Sequence, residues 1–487
     1  MDAKDVPDVA KRDIPNWYRE AVVYQIYPLG TPGQKPGQGG SFGGVPNRND
    51  LNAKVVEKLL DIRNWYEYLN ELGIDVIYMT PIFQSDGHGY ETISYFEIDR
   101  RLGTNETFKT VLDELHARKI RVILDGVFNH TSRNFFAFQD VLKNGKNSEY
   151  WDWYYILEGK SSSFGDPVGY KSWAGCEEIP RLNLSNPAVR AHLFEVGKFW
   201  LQVGIDGWRL DCVNEMPAHF WYGFRQACAE VQPDHVLVAE TIHGDYNTWV
   251  APCKSLCHSC TNYQLYKPML SLIKERNFFE LAHNMQREID MYGELILSNF
   301  LSNHDISRIA SILTESLPQL MIAHVLLFTL RGVPMICYGD EYGVRGDKKD
   351  GDAALRLPML NLNDRDKNWT EDETELFELN KRCIAMRREC LEPLCYGSWS
   401  TIHLTNTEFV FSRMHKNEYL LVVLNCGSES SKRTLNLGKL PSKKLLTECI
   451  RVNCGSQIPS EISIDGESVS IDLPAVSARV FSARSSK

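Results

Sequence analysis

The feature that most constrains the fold is a regular alternation of short apolar runs and longer amphipathic stretches over the first 340 residues. The short runs are rich in β-branched residues, whereas the stretches between them repeat apolar side chains at helical spacing. This alternation predicts repeated βα units and a parallel sheet. The predicted strands are 21–27, 74–80, 120–128, 204–210, 235–240, 295–301 and 332–338, with an eighth near 256–262. The predicted helices are 54–72, 104–118, 186–203, 216–231 and 316–331.

The spacing of acidic residues at the strand ends supports a closed barrel. A (β/α)8 barrel of about 250 residues gives about 30 residues to each βα unit. Asp211 and Glu240 are 29 residues apart, and Glu240 and Asp305 are 65 apart, which correspond to one and two units. Asp125 and Asp211 are 86 apart, so an insertion is expected between the third and fourth strands. The sequence therefore predicts an α/β fold, a (β/α)8 TIM barrel with an inserted subdomain.

The sequence pattern changes after about residue 390, where short strand-like runs alternate with turns rich in Gly, Ser and Asn. We expect a C-terminal all-β sandwich there. The predicted organisation is a polar extension over 1–16, the catalytic barrel over 17–130 and 186–390, the inserted subdomain over 131–185, and the sandwich over 391–487.

Composition excludes several classes of partner. The net charge of -10 argues against nucleic-acid binding, which needs clustered Lys and Arg. Neither a signal peptide nor a membrane span of about 18 apolar residues is found, so a cytoplasmic protein without membrane contact is expected. The 13 cysteines are read as reduced, mostly core-filling residues. The cluster Cys253, Cys257 and Cys260 contains a single C-x-x-C, which is weak evidence for zinc.

Polar residues follow four of the predicted strands directly. They occur in DGVFNH (125–130), GWRLD (207–211), AE (239–240) and SNHD (302–305). Because the carboxyl ends of barrel strands converge on one face, these acids and histidines are expected to share a site. A set of structural ion pairs is the alternative interpretation. Paired carboxylates are what glycoside cleavage requires, one to attack the anomeric carbon and one to protonate the leaving oxygen.

Local chemistry assigns the two roles. Arg209 lies two residues before Asp211, on the same face of a strand, and can hold that carboxylate ionised through a charge-assisted hydrogen bond. Asp211 is therefore the predicted nucleophile. Glu240 ends the apolar run HVLVA, whose surroundings would raise the pKa of its carboxyl. Glu240 is therefore the predicted general acid/base.

Taken together, these motifs resemble those of the α-amylase family, glycoside hydrolase family 13. Within that family the segments IPRLN (179–183), GWRLDCVNE (207–215) and ETIH (240–243) are similar to the M-P-K-L-N, G-W-R-L-D-V-A-N-E and E-x-W-H patterns of the neopullulanase and cyclomaltodextrinase group. The resemblance implies that Asp305 is the third catalytic carboxylate. It also implies substrate-binding roles for a further set of side chains, namely Tyr90, His130, Arg209, His304, His243 and Arg356. Glu215 is a further candidate on the acceptor side.

Several positions depart from the family pattern. The usual Y-D-x-x-D-Y reads YETISY (90–95), with Glu91 and Ser94 in place of two aspartates. The extra N-terminal β domain of that group is not expected, because the predicted barrel begins near Tyr24. The calcium loop of several relatives is replaced by GTPGQKPGQGG, which offers no carboxylate, so no cofactor is required and calcium is not expected there. Asn129 is the residue that would contact an ion if one bound.

The sequence thus predicts a retaining α-glucoside hydrolase acting on α-1,4 linkages, with α-1,6 linkages as a second target. Its expected substrates are maltooligosaccharides, cyclodextrins or related α-glucans. A transglycosylase or isomerase using the same site remains an alternative, as does a non-catalytic scaffold. Both a monomer and a homodimer remain open. In the inserted subdomain, Tyr170 and Trp173 are the aromatic candidates to face the cleft.

Overall fold

A computed structural model of the chain describes residues 14–30, 48–242, 256–293, 295–313, 316–359, 369–438 and 445–483. Its centre is an eight-stranded parallel sheet in the order β6-β5-β4-β3-β2-β1-β8-β7. The strands are β1 Val23–Ile26, β2 Val76–Met79, β3 Arg121–Gly126, β4 Gly207–Leu210, β5 Val236–Ala239, β6 Ser259–Cys260, β7 Ser298–Phe300 and β8 Val333–Cys337. In this order, strands that follow one another in the chain are neighbours, as in the predicted (β/α)8 barrel. The strand expected near 256–262 is β6.

Side chains as well as backbone close the barrel between β6 and β7. A single parallel bridge pairs Thr261 with Ser298. Ser259 Oγ donates to the Ile296 carbonyl at 2.8 Å, and Asn262 Nδ2 donates to Asn299 Oδ1 at 2.9 Å. Because β6 has only two residues, these buried polar contacts replace much of the backbone ladder at this joint.

Helices surround the barrel, and each of the five predicted helices overlaps one of them. The α-helices of the described residues are Asn16–Arg19, Tyr66–Leu72, Asn105–Ala117, Phe136–Asn144, Pro187–Val203, Ala218–Val231, Tyr263–Lys274, Phe278–Tyr292, Ile309–Ile312, Leu317–Thr329, Glu371–Glu389 and Leu391–Tyr396. Seven of these, among them Tyr263–Lys274 and Phe278–Tyr292, have no counterpart among the predicted helices.

The predicted helix over 54–72 is wrong in its first half. Lys58–Trp65 is a 3-10 segment, and only Tyr66–Leu72 is α-helical. The Val56 and Leu59 amides donate at 2.9 and 2.8 Å to the carbonyls of Arg100 and Leu102, in a neighbouring part of the chain. Because these amides are bonded outside the segment, its start does not form regular α-helical turns.

The inserted segment 131–185 is small and built around aromatic side chains. It contains the helix Phe136–Asn144 and two short antiparallel pairs, Ile156–Leu157 with Gly169–Tyr170 and Ser172–Trp173 with Cys176–Pro180. The Phe138 ring contacts those of Tyr154 and Tyr170, at centroid distances of 4.8 and 4.7 Å. A bridge between His130 and Arg181 ties the segment to the region just after β3.

The C-terminal region is antiparallel, as expected for the predicted sandwich. Its strands are β9 Ser398–Leu404, β10 Glu408–His415, β11 Glu418–Asn425, β12 Ser431–Asn436, β13 Leu445–Val452, β14 Glu461–Ser463, β15 Ser468–Leu473 and β16 Ser477–Ala483. A six-stranded sheet runs β9-β10-β11-β16-β13-β14, and β12 pairs separately with β15. Val410, Leu421 and Phe481 of the large sheet share one buried core with Ile471 of the pair.

Two observations concern the environment of the chain. Among the described helices, none has the length and apolar character needed to cross a membrane. Twelve cysteines lie within the described ranges, most of them buried, and none of those twelve is in a disulfide. Cys253 of the C-x-x-C cluster lies outside the described residues.

Candidate active site

Strand register brings the predicted acids together. Arg209 on β4 lies beside Asp125 on β3, and its neighbour on the other side is Val238 on β5. Asp211 follows β4 and Glu240 follows β5, so both emerge at the carboxyl end of the barrel. Alternate residues of a strand face the same side, which directs Arg209 and Asp211 alike. The side chains of Arg209 and of the three acids are buried together at this end of the barrel.

The Arg209 guanidinium is the centre of this cluster. Its Nη1 lies 2.9 Å from Asp125 Oδ1 and 2.9 Å from Asp211 Oδ1, and its Nη2 contacts Glu240 Oε1. Burial disfavours the charge of this group, but Asp125 and Glu240 outweigh it and raise the pKa of Arg209 well above its ordinary value. One permanent cation therefore serves three carboxyl groups.

Asp211 and Glu240 are close enough to act on one bond. One carboxylate oxygen of each, together with Cys212 Sγ, lie within 4.8 Å of one another. Cys212 adopts a left-handed backbone conformation, with φ of 49°, and its amide donates to Glu240 Oε2 at 3.3 Å. Retaining glycosidases hold their two carboxyl groups about 5–5.5 Å apart, whereas inverting enzymes need at least about 6.5 Å. The spacing matches the retaining geometry.

The environment favours the protonated form of Glu240. Burial raises the pKa of its carboxyl; Arg209 opposes this effect, while Asp211 and Asp305 add to it. Asp125 is also buried, and burial is the main reason that its pKa is raised. A glutamic acid that keeps its proton near neutral pH is suited to general acid catalysis.

Asp305 has the opposite protonation preference. His304 Nε2 lies 3.1 Å from Asp305 Oδ2, and Arg356 Nη2 lies 2.8 Å from Asp305 Oδ1. Burial would raise the pKa of Asp305, but His304, Arg356 and Arg209 lower it to about 2. The side chain is 31% exposed, so Asp305 is an ionised carboxylate that remains open to the cleft.

The predicted sugar-binding residues form one wall of the site. The rings of Tyr90 and His304 are stacked at 5.6 Å with an interplanar angle of 5°. His130 Nε2 lies 3.1 Å from the Tyr90 carbonyl. Burial lowers the pKa of His304 to about 3 and also lowers that of His130, so both imidazoles are neutral and can hydrogen-bond to hydroxyls.

Arg356 is already engaged by protein groups. Its Nη2 contacts Asp352 at 3.0 Å in addition to Asp305, and its Nε donates to the His304 carbonyl at 3.1 Å. In this structure the arginine therefore orients Asp305 directly. The substrate-binding role that the resemblance implies for Arg356 would have to use the face that lines the adjacent cavity.

That cavity extends the site beyond Tyr90. It measures about 580 Å³, within the range of ligand-binding cavities, and both Arg356 and the exposed ring of Phe164 line it. Glu91, at the altered Y-D-x-x-D-Y motif, also lines the cavity and forms an ion pair with His88 at 2.8 Å. The substitution thus replaces a family aspartate by an acid already paired within its own loop.

The two aromatic candidates of the inserted segment occupy different places. Trp173 is 40% exposed and its ring lies 6.0 Å from that of His130, beside the site. Tyr170 is buried, and its Oη donates to the Glu177 carbonyl at 2.9 Å. The expectation that Tyr170 faces the cleft is therefore wrong, because its ring fills the core of the insert.

Other predicted positions are less informative. His243 lies outside the described residues. Glu215 is exposed and lies 3.7 Å from Arg181, as a surface ion pair would. Asn129 is buried with its Oδ1 unpartnered, but the grouping of three His, Cys, Asp or Glu side chains found within the described part of the chain is Asp211, Cys212 and Glu240. No such grouping is found at Asn129.

Sequence reasoning missed the residues that brace the site from below. Tyr78 Oη donates to Asp125 Oδ2 at 2.6 Å, and Gln25 Nε2 lies 2.8 Å from His304 Nδ1. Tyr27 packs under Arg356, whose guanidinium lies 5.2 Å from the ring. A polar residue inside an apolar strand, as with Gln25 in AVVYQIY, was the available signal for one of them.

A buried pair of carboxyl groups at retaining distance, held at the mouth of a (β/α)8 barrel, defines the class of retaining glycoside hydrolases. Residues 49–391 match the α-amylase catalytic-domain family. The chain belongs to the α-amylase family, and it is accordingly a glycoside hydrolase.

Relatives of known name support that assignment. The chain is 33% identical over 458 residues to a cyclomaltodextrinase of Thermoanaerobacter pseudethanolicus, covering 88% of this chain and 75% of the relative. It is 33% identical over 452 residues to neopullulanase 2 of Thermoactinomyces vulgaris, covering 90% and 74%. The solved native structure of the Nostoc punctiforme debranching enzyme superposes with a TM-score of 0.81 at 29% identity, covering 97% of this chain and 100% of that one. The predicted family and fold are confirmed.

Proposed function

We propose that the protein hydrolyses α-1,4-glucosidic bonds of maltooligosaccharides and cyclodextrins with retention of configuration, and α-1,6 bonds as a second target. The observation that carries this proposal is the placement of Asp211 and Glu240 within 4.8 Å, both in contact with the Arg209 guanidinium. The names of the relatives, a cyclomaltodextrinase and a neopullulanase, support the substrate class.

In the first half of the reaction, Glu240 is the general acid and Asp211 the nucleophile. Glu240 gives its proton to the glycosidic oxygen, and that bond breaks as Asp211 attacks the anomeric carbon. Because its pKa is raised, Glu240 holds the proton that it gives, and Arg209 Nη1 donates a hydrogen bond to Asp211 Oδ1 and orients that carboxylate. The product is a covalent glycosyl-enzyme with the leaving sugar released as an alcohol.

In the second half, Glu240 is the general base. It takes a proton from water, whose oxygen attacks the anomeric carbon and displaces Asp211. Both carboxyl groups return to their starting states, and the net reaction adds one water across the bond. If a sugar hydroxyl replaces the water, the same step becomes transglycosylation.

Asp305 is proposed as the third carboxylate. Its lowered pKa keeps it ionised, so it can stabilise positive charge that develops on the ring in the transition state. Tyr90, His130 and His304 would contact the same glucose, with ring stacking from the tyrosine and hydrogen bonds from the imidazoles.

A product profile tests the proposal. The purified protein is incubated with maltotriose, β-cyclodextrin, pullulan and starch, and products are followed from the earliest time points. We expect cleavage of maltotriose and cyclodextrin, with the α-anomer formed first when followed by NMR. Early products longer than maltotriose would favour transfer over hydrolysis, and initial formation of the β-anomer would contradict retention.

We also propose that the protein works in a reducing compartment, the cytoplasm. The cysteines of the described ranges, which are mostly buried and form no disulfide there, support this proposal. Fractionation of cells with an antibody against the protein tests it, and recovery of the protein in the secreted fraction would contradict it.

A further inference from the structure

The residue that follows the predicted nucleophile is unusual for the family pattern. The chain reads GWRLDCVNE, whereas the group that it resembles has G-W-R-L-D-V-A-N-E. A valine at this position could only pack, but Cys212 adds a sulfur ligand between the two acids. The proposed reaction does not use that sulfur.

The geometry places this sulfur where it could bind the same ion as both acids. Cys212 Sγ and one oxygen each of Asp211 and Glu240 lie within 4.8 Å of one another. The left-handed turn at Cys212, with φ of 49°, is part of the backbone that fixes this arrangement. Of these two acids, Arg209 contacts Asp211 Oδ1 and Glu240 Oε1, so each carboxylate has a second oxygen outside the guanidinium contacts.

The local charge balance favours an added cation. Asp125, Asp211, Glu240 and Asp305 bring four carboxyl groups to this end of the barrel, against the guanidinium groups of Arg209 and Arg356. That list of acids and bases leaves more potential negative than positive charge. Asp305 is 31% exposed and Cys212 is partly exposed, so a small ion can reach the group from the cleft.

We propose that Asp211, Cys212 and Glu240 form an inhibitory site for a soft or borderline divalent ion such as Cd²⁺ or Zn²⁺. One thiolate and two carboxylate oxygens are three of the four ligands of a tetrahedral site, and water is the fourth. Ligand atoms in such a site are about 3.5 Å apart, so the three atoms, which lie within 4.8 Å of one another, would have to move closer when an ion binds. Burial and the neighbouring Asp211 and Glu240 raise the pKa of the Cys212 thiol, so the ion itself has to displace the thiol proton and any proton on Glu240.

Such an ion would block catalysis by occupying the two groups that act on the glycosidic bond. Substrate and ion would then compete for the same site. Hard ions such as Mg²⁺ prefer six oxygen ligands and gain nothing from sulfur, so they should not compete in this way. The inhibition rests on the proposed roles of Asp211 and Glu240, whereas the binding of the ion does not.

The test measures binding and inhibition separately. Cd²⁺ is titrated into the wild-type protein without substrate, and its bond to the thiolate is followed by ultraviolet charge-transfer absorption. The same titration is made with Cys212→Ser and Cys212→Ala, which replace the soft ligand, and with Cys176→Ser, which removes an exposed cysteine elsewhere. Inhibition by Cd²⁺ and by Mg²⁺ is then measured against maltotriose, relative to the uninhibited rate of each variant.

We expect one Cd²⁺ per chain to bind to the wild type and to Cys176→Ser with the charge-transfer band, and to inhibit competitively. In both Cys212 variants that band should disappear and the inhibitory concentration should rise by about tenfold or more. An unchanged band and inhibition in the Cys212 variants would overturn the proposal. If the band depends on Cys212 but no variant hydrolyses any glucan, the site stands and the proposed function fails.

Discussion

The two halves of the site treat the same chemical group in opposite ways. On one side, Glu240 is 3% exposed and shares the Arg209 guanidinium with two other acids, and burial raises its pKa. On the other side, Asp305 is 31% exposed and lies against both His304 and Arg356, and its pKa falls to about 2. One cation shared by three buried acids does not offset the burial of Glu240, whereas the partners of Asp305 outweigh its burial.

This contrast explains how one cleft can hold an acid and an anion at the same pH. A general acid needs a proton to give, and a carboxylate that stabilises positive charge must have none. Since both requirements are met by burial and partners, the division of roles is set by the surrounding side chains. Each of the following substitutions changes one acid or one partner, either in the buried cluster around Arg209 or at the more exposed Asp305.

The largest effect is expected on the buried side, from Asp211→Asn. The amide cannot form the glycosyl-enzyme, so kcat should fall roughly 10⁴-fold or more while the melting temperature stays close to that of the wild type. Rates on maltotriose and thermal unfolding are measured together. Asp113→Asn, an exposed acid on the helix Asn105–Ala117, is the matched control and should keep full activity. Near-normal turnover of Asp211→Asn would contradict its assignment as nucleophile.

Arg209→Met should show how much the shared cation stabilises the buried side. Removing it leaves three buried acids without their cation, which costs about 3–5 kcal/mol of the free energy of unfolding. The folded-state pKa values of Asp125 and Glu240, which burial already raises, then rise further above their unfolded values. The variant should therefore be closest to the wild type at low pH and lose stability as the pH rises.

Urea unfolding at pH 5 and pH 8 measures this effect. Arg121→Met is the control, because it breaks a part-exposed pair with Asp206 at the opposite end of the barrel and should cost about 1 kcal/mol or less. Equal losses in the two variants would show that the shared cation is not the main stabiliser of the acid cluster.

The smallest effect is expected on the exposed side, from Arg356→Met. Loss of this cation raises the pKa of Asp305, so its ionised form is lost at a higher pH than in the wild type. The acid limb of the kcat/KM profile should move upward by about 1 pH unit, and the alkaline limb, assigned to Glu240, should not move. Lys349→Met, an exposed cation in the same loop region, should leave both limbs in place. Movement of the alkaline limb alone would break the contrast between the two sides.

Much of the barrel could be predicted from the sequence, because its strands are apolar runs of regular spacing. The β6 strand was harder, since Ser259–Cys260 is too short to show a pattern. The helix Tyr263–Lys274 was missed, and Pro268 inside it is a residue that usually ends helices. The start of the predicted helix over 54–72 failed because its amides bond to residues about 45 positions away, which local periodicity cannot show.

The candidate site was predictable where position along a strand fixes direction. Asp211 and Glu240 each follow a strand, so their convergence follows from barrel geometry, and Arg209 shares a face with Asp211. The partners of these groups were not predictable in the same way. Tyr78 looked like an ordinary core residue, and its hydrogen bond to Asp125 depends on how β2 lies beside β3. The pairing of Arg356 with Asp305 likewise joins segments 51 residues apart.

The joint between β6 and β7 affects where the barrel can open locally. Strand β5, which ends at Glu240, is paired with β6, and β6 reaches β7 through one backbone bridge and a set of buried side-chain hydrogen bonds. Amides in a continuous backbone ladder exchange slowly with solvent, because the ladder must open as a unit. Few backbone hydrogen bonds join β6 to β7, so this protection is weak at the joint. We therefore expect local opening to occur first in the wall next to the general acid, while the rest of the barrel stays closed.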